Sequence, residues 1–321
     1  MEQILIAGTN YEIIDSKAEI TLADSFTRNK LGSAHGEAKL YIGMNRDGFF
    51  ENFDSNFFFL KQDFENYLNK TKDEFLNPTH NYQNRDKLAS KFTELEEQIN
   101  SLKDEPLLFK FTKRNVTHPG IYVSSASSYY ELIRKLGLSD FSYLSILKLR
   151  NLSTQQIEYY CQLNINETFL TQNEDFIIEG IENDKEMSSK IRKQLIDSRI
   201  GQGIYRRKLL EECPFCPFTF IDNESLLNAS HIKPWRQSSN IEKTDPKNGF
   251  IFTPTYDRMF DRGFISFTEN KELLISNWIS IKTRKRLNIE NGMVLKALPL
   301  CPKRNTYLNF HRETVFKKFG N

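Results

Sequence analysis

Residues 213–267 read CPFCPFTFIDNESLLNASHIKPWRQSSNIEKTDPKNGFIFTPTYDRMFDRGFISF, and the order of signals in this stretch decides how the C-terminal part of the chain folds. A segment able to form a short strand ends at Ala229-Ser230-His231, and Pro234 stops a regular strand or helix from continuing. Asn248-Gly249, 17 residues after His231, is a strong turn signal and is followed by the apolar run Phe250-Ile251-Phe252. Beyond Pro254, Tyr256, Met259 and Phe260 recur at helical spacing, with Thr255 as the expected cap and Gly263 as the stop. Asp257 and Asp261 are four residues apart, so a helix places both on one face. Two short strands followed by a helix are expected.

The residues on these elements suit phosphodiester hydrolysis, which needs a base to activate water and a cation to take up charge on the phosphate and the leaving oxygen. A histidine on a strand facing carboxylates on a helix supplies both. Each residue also has a plainer reading: a lone histidine is commonly structural, and Asn-Gly is commonly only a turn. It is the order and spacing of all of them together that carries the functional reading.

The pattern Ala229-Ser230-His231-Ile232-Lys233-Pro234-Trp235, then Asn248-Gly249, then Phe260-Asp261-Arg262-Gly263, resembles the HNH endonucleases. The similar branch is written A-x-H-I-x-P-W, N-G and F-D-x-G. That resemblance implies an α+β protein with a C-terminal ββα-metal nuclease domain. By resemblance His231 is the general base and Asn248 holds the loop and orients it. Asp257 falls where the family usually puts a histidine metal ligand, with Asp261 beside it. Oxygen ligands suit a hard cation, so Mg²⁺ or Mn²⁺ is the expected cofactor. Ser230 stands where many members carry an aspartate or histidine ligand just before the base.

Two flanking segments carry the same resemblance. Gly201-Gln202-Gly203-Ile204-Tyr205-Arg206-Arg207-Lys208-Leu209-Leu210 is similar to the G-Q-x-x-F/Y-R-x-x-L-L segment that leads into the motif in this branch. Tyr307-Leu308, His311-Arg312 and Val315-Phe316 resemble its Y-L-x-x-H-R-x-x-V-F terminal helix. The resemblance therefore spans about residues 195–321. Gln202, Arg206, Arg207, Lys233, Arg258, Arg284, Lys285 and Arg286 are the candidates for DNA contacts. Each basic residue among them equally fits a solvated surface.

Charge is distributed in keeping with this. The net charge is +2, yet residues 201–321 carry 20 Lys and Arg against 12 Asp and Glu, while residues 1–200 carry 24 against 30. A polyanion is drawn to the basic part by counterion release, whereas the acidic part has no such general pull. Four cysteines in 321 residues do not make a disulfide framework. Cys213 and Cys216 have the spacing of half a structural zinc site, and the alternative is a buried pair of reduced thiols. No apolar run is long enough to span a membrane and the first residues lack a basic flank, so a cytoplasmic protein is expected.

Upstream, the sequence reads as a mixed α/β region over 1–120, a candidate for DNA recognition, and a helical segment over 121–194. Strands are expected at 3–7 and 39–43, helices at 64–76 and 85–102, and a strand pair within 109–123. Helices are expected at 129–136, 140–152 and 154–163. Phe49, Phe50, Phe57, Phe58 and Phe59 lie in an acid-rich stretch and are expected in the core rather than on a base-stacking surface. The whole reads as a restriction endonuclease acting on double-stranded DNA, with a homodimer or two sequential nicks giving a double-strand break. The alternatives are a modification-dependent defence nuclease and a catalytically inactive HNH scaffold that binds DNA, the latter suggested by Ser230 and Asp257.

Overall fold

The computed structural model describes residues 2–33, 35–44, 48–116, 120–165 and 204–318. The chain divides into two compact units, Met1–Leu170 and Thr171–Asn321.

The first unit is built on a six-stranded sheet. Strands β1 (Gln3–Ile6), β2 (Thr9–Thr21), β4 (Asn56–Phe59), β5 (Leu107–Phe109), β8 (Ser142–Asn151) and β9 (Ile157–Ile165) lie in the order β1-β2-β8-β9-β4-β5. All neighbours are antiparallel except β4 and β9. Strands β3 (Leu40–Tyr41), β6 (Thr112–Arg114) and β7 (Tyr122–Ser124) form a second, smaller sheet. Helices α1 (Lys61–Leu76), α2 (Leu88–Asn100) and α3 (Ser128–Leu136) bury Phe64, Phe75, Phe92 and Ile133 in one core with Phe57, Phe59, Leu144 and Ile146. Helix α3 begins at the Ser127 cap, whose hydroxyl accepts from the Tyr129 N–H. The five expected core phenylalanines are all buried, Phe57, Phe58 and Phe59 completely.

The expectation of helices over 140–152 and 154–163 is overturned: these residues form β8 and β9, which pair along nearly their whole length. For β8 the reason is two-sided burial. Every residue of β8 except Arg150 is buried. A strand covered on both faces loses the apolar–polar alternation that marks a strand in sequence and reads as a run like Leu144-Ser145-Ile146-Leu147. Residues 121–165 lie within the first unit, and the rest of the expected helical segment, 166–194, lies outside the described residues.

The second unit carries α4 (Ile204–Glu212), β10 (Asn228–His231), α5 (Asn240–Thr244), β11 (Gly249–Phe252) and α6 (Pro254–Asp261). Beyond them follow β12 (Ile265–Phe267), β13 (Leu273–Ile275), α7 (Ile281–Arg286) and α8 (Pro302–Phe310), the last running into a π-helical turn, His311–Val315. β10 pairs with β11 and β12 with β13, each antiparallel. Helix α6 starts two residues earlier than the sequence suggests. Pro254 takes the first helical position, where its missing N–H costs nothing, and Thr253 rather than Thr255 is the flanking residue. Gly263 does end this region: its φ is +67°, and a Cβ there would stand 1.9 Å from the Val315 carbonyl oxygen. Residues 276–281 are not part of a strand, because β13 stops at Ile275 and Ser280 caps α7. Among the described residues no helix is long and apolar enough to cross a membrane.

Candidate nuclease site

Strand β10 is held between two helices. Asn228 and Ser230 turn to α6: Asn228 Nδ2 donates to Asp257 Oδ2 at 2.7 Å, and Ser230 Oγ donates to Asp261 Oδ1 at 3.1 Å. His231, on the alternate side expected of a strand, turns to α4, where its ring stacks on Tyr205. The expectation that it faces the helix carboxylates is therefore corrected: the strand's alternation gives Asp257 and Asp261 to the side of Asn228 and Ser230. Asp257 and Asp261 thus do share one helical face, and that face lies along β10. Their donors are hard oxygens one helical turn apart, a set that fits a cation of the Mg²⁺ type, which takes one or two carboxylates and keeps places for water and phosphate. Among the described residues no group of three or more His, Cys, Asp and Glu side chains comes together.

His231 Nε2 lies 3.0 Å from the Lys243 carbonyl oxygen. A carbonyl can only accept, so Nε2 carries the hydrogen and the basic lone pair of the neutral ring is on Nδ1. The Trp235 ring meets the imidazole edge to face, with centroids 5.6 Å apart. The loop that supplies the Lys243 carbonyl is built on Asn248, which is fully buried. Asn248 Oδ1 accepts from the Lys233 N–H at 2.8 Å, and its Nδ2 is shared among the Lys233 and Glu242 carbonyls and Ser238 Oγ. One side chain therefore ties the chain just after the base to helix α5, which carries the base's own acceptor.

The expected Asn248-Gly249 turn is not what forms. Asn248 ends a 3-10 turn and Gly249 is the first residue of β11, with extended φ and ψ of −162° and 162°. Glycine is required there for space: a Cβ would lie 2.3 Å from the Tyr205 hydroxyl and 2.8 Å from Leu209 Cδ2.

Residues 213–268 match the model of the HNH endonuclease family. No curated protein matches the chain closely enough to count as a relative. The matched segment covers β10, β11, α6 and β12, so this part of the protein is similar to the HNH endonuclease domain, a family of nucleases acting on nucleic acid.

Several residues that hold the matched segment in shape lie outside it, and of these Arg304 and Lys303 carry no signal in the sequence. Arg304, on α8, is buried and binds five groups at once. Its guanidinium donates to the carbonyls of Gly249 at 3.2 Å, Pro299 at 2.8 Å and Pro246 at 3.1 Å, to Glu212 Oε2 at 2.7 Å and to Cys213 Sγ at 3.5 Å. Tyr307 and Lys303 on the same helix bind Asp245, next to Pro246. Burial alone would push the Asp245 carboxyl up, but these partners and the Lys247 N–H outweigh it and hold it below its ordinary value. The C-terminal helix thus clamps the loop that carries Asn248.

Cys213 and Cys216 form no half of a zinc site that the described residues complete. Cys213 Sγ accepts from Arg304, Cys216 Sγ meets Thr253 Oγ1 at 3.7 Å, and no third ligand joins them. Burial, the largest cause, pushes the Cys213 thiol up to about 11. Both cysteines are buried, with no disulfide between them.

The candidate DNA contacts separate into two groups. Arg206 is spent on the carbonyls of Leu227 and Glu224, Arg284 on those of Ile279 and Ser276, and Lys233 on Glu242 at 2.8 Å. These three brace the fold. Arg207, Arg258, Lys285 and Arg286 are exposed, and Gln202 lies outside the described residues.

His311 is buried in the same domain, stacked on Phe260 at 3.9 Å. Its Nε2 donates to the Phe260 carbonyl, and Nδ1 accepts from Ser266 Oγ. Burial pushes this imidazole down to about 3, from an ordinary value of 6.5. Below pH 6.5 the unfolded chain therefore takes up a proton that the folded domain refuses until about pH 3. Stability contributed by the neutral ring is present above 6.5 and is lost as the pH falls, by about 1.4 kcal/mol per pH unit at the steepest. Both tryptophans, Trp235 and Trp278, are in this unit, so tryptophan emission reports its unfolding. Urea midpoints followed this way are expected to drop between pH 6.5 and 5, and His311→Gln is expected to flatten that slope. Equal slopes for the two proteins would refute the assignment.

Proposed function

We propose that the protein is a divalent-metal-dependent DNA endonuclease of the restriction type, with an active site of the ββα-metal kind. The observation that supports it most is the His231 tautomer. With Nε2–H given to the Lys243 carbonyl, Nδ1 is the nitrogen able to take a proton from water attacking a phosphodiester. Asp257 and Asp261 would hold the cation, which supplies charge neutralisation on the phosphate and on the leaving oxygen. Asn248 keeps the base and its acceptor in register through its bonds to Lys233 and Glu242.

Exposed Arg207, Arg258, Lys285 and Arg286 contact phosphates, a sequence-independent role suited to the basic C-terminal part. The first unit is the proposed reader of the site, since base readout needs a few placed side chains rather than net positive charge. One such domain cuts one strand at a time, so a homodimer or sequential nicks complete a double-strand break. The direct test is to incubate the full chain with supercoiled plasmid and Mg²⁺ or Mn²⁺, with and without EDTA. Metal-dependent nicking or linearisation supports the reading. Retention of DNA without cleavage under any divalent ion would instead make it an inactive HNH scaffold.

The two carboxylates are not expected to be equal. Asp257→Ala should fall below detectable cleavage, because it occupies the place of the family's ligand. Asp261→Ala should lose about 10–100-fold, as for a residue supporting the metal from beside it. Asp257→His, which restores the commoner ligand, should recover part of the rate. Plasmid cleavage with Asp261→Ala as the sole inactive variant would reverse the assignment.

A further inference from the structure

Tyr205 lies on α4, outside the matched HNH segment. Its ring is face to face with the His231 imidazole, the centroids 4.4 Å apart and the planes within 9° of parallel. Its hydroxyl donates to the main-chain oxygen of Asn248 at 3.2 Å, the same oxygen that accepts from the Ile232 N–H beside the base. The side chain is 2% exposed, so this platform is part of the domain's core. The stack sets the plane of the imidazole, and the bond from Nε2 to the Lys243 carbonyl sets its rotation within that plane. Gly249 completes the arrangement, because a Cβ there would occupy the seat of the tyrosine hydroxyl. The Asn248-Gly249 pair thereby serves the tyrosine twice, with an acceptor from the first residue and with space from the second.

We infer that Tyr205 is a positioning residue for the nuclease reaction, acting through His231 by holding the plane of the base rather than by touching DNA. This rests on the reading of His231 as the general base. The hydroxyl donates to the Asn248 main-chain oxygen rather than to the base, and burial, the largest cause, holds it well above its ordinary value. The ring therefore matters more than the hydroxyl. A base turned out of line by about 1 Å is enough to cost on the order of 10²-fold in rate.

The test uses the full chain, with histidine rings labelled for NMR and the His231 signals assigned by their loss in His231→Ala. A ring stacked this closely moves the imidazole protons upfield. In the wild type and in Tyr205→Phe the His231 protons are expected upfield of their unfolded positions, and in Tyr205→Leu they are expected to return. Single-turnover cleavage should stay within about threefold of wild type for Tyr205→Phe and fall about 10²-fold for Tyr205→Leu, with DNA affinity unchanged. In the His231→Ala background Tyr205→Leu should cost nothing further, because a residue that acts through another has no effect once that other is gone.

Cleavage by Tyr205→Leu near the wild-type rate, or an additional loss on top of His231→Ala, overturns the positioning role. Unshifted His231 protons in the wild type overturn it as well, a result that needs no variant to fold. A wild-type chain with shifted protons that cuts no DNA overturns the nuclease reading itself.

Discussion

His231→Ala is expected to cleave DNA about 10²-fold to 10⁴-fold more slowly than the wild type, the usual cost of losing a general base. DNA affinity should change little, because in the proposed function the phosphate contacts come from Arg207, Arg258, Lys285 and Arg286 and not from this ring. Truncation removes Nδ1 as a proton acceptor, along with the stack on Tyr205 and the bond to the Lys243 carbonyl. His231→Gln is the useful companion, since its amide can still donate to that carbonyl but cannot act as a base near neutral pH. If geometry were all that mattered, the glutamine variant would recover much of the rate; if proton transfer matters, both variants are equally slow. Gel-shift affinity and single-turnover cleavage on the same DNA separate binding from chemistry. Cleavage by His231→Ala near the wild-type rate would remove the histidine from the mechanism.

Arg304→Ala should be the most destabilising single change in the C-terminal unit, by about 3–5 kcal/mol, the cost of removing one partner from a buried charged network. Three carbonyls, those of Gly249, Pro246 and Pro299, would lose their donor, and the space under the Phe250 ring would empty. Glu212 is less affected. It is part-exposed and keeps Lys247 at 2.8 Å, so the loss should come mainly from orphaned carbonyls and lost packing rather than from a stranded charge. Arg304→Lys should not rescue, since an ammonium cannot reach five acceptors spread around a planar fork. Urea unfolding followed by tryptophan emission isolates this unit, and a change within about 0.5 kcal/mol, as for an ordinary surface substitution, would show that the network is not a hub.

What the chain reveals before folding is whatever acts through its own backbone. Pro234 ends a strand, Pro254 starts a helix and Gly263 permits a left-handed turn by local sterics alone, and these are the features that place His231 on a strand and Asp257 and Asp261 on one helical face. Burial of Phe57 to Phe59 was legible for a related reason, because so large an apolar surface leaves little alternative. The identity of β8 was not legible, because a strand buried on both faces has no period left to read, whereas the end of β9 does alternate from Cys161 to Ile165 and could have been read as a strand.

The remainder depended on partners far away in sequence. Arg304 reaches Gly249 across 55 residues and Glu212 across 92, and no local pattern distinguishes it from a surface arginine. The positive charge of Arg206, Lys233 and Arg284 is visible in sequence, whereas the carbonyls and the carboxylate they bind are brought up only by folding. Gly249 likewise passed for a turn residue, and only the packing of Tyr205 against β11 shows that the missing side chain, not the backbone angle, is what the site requires.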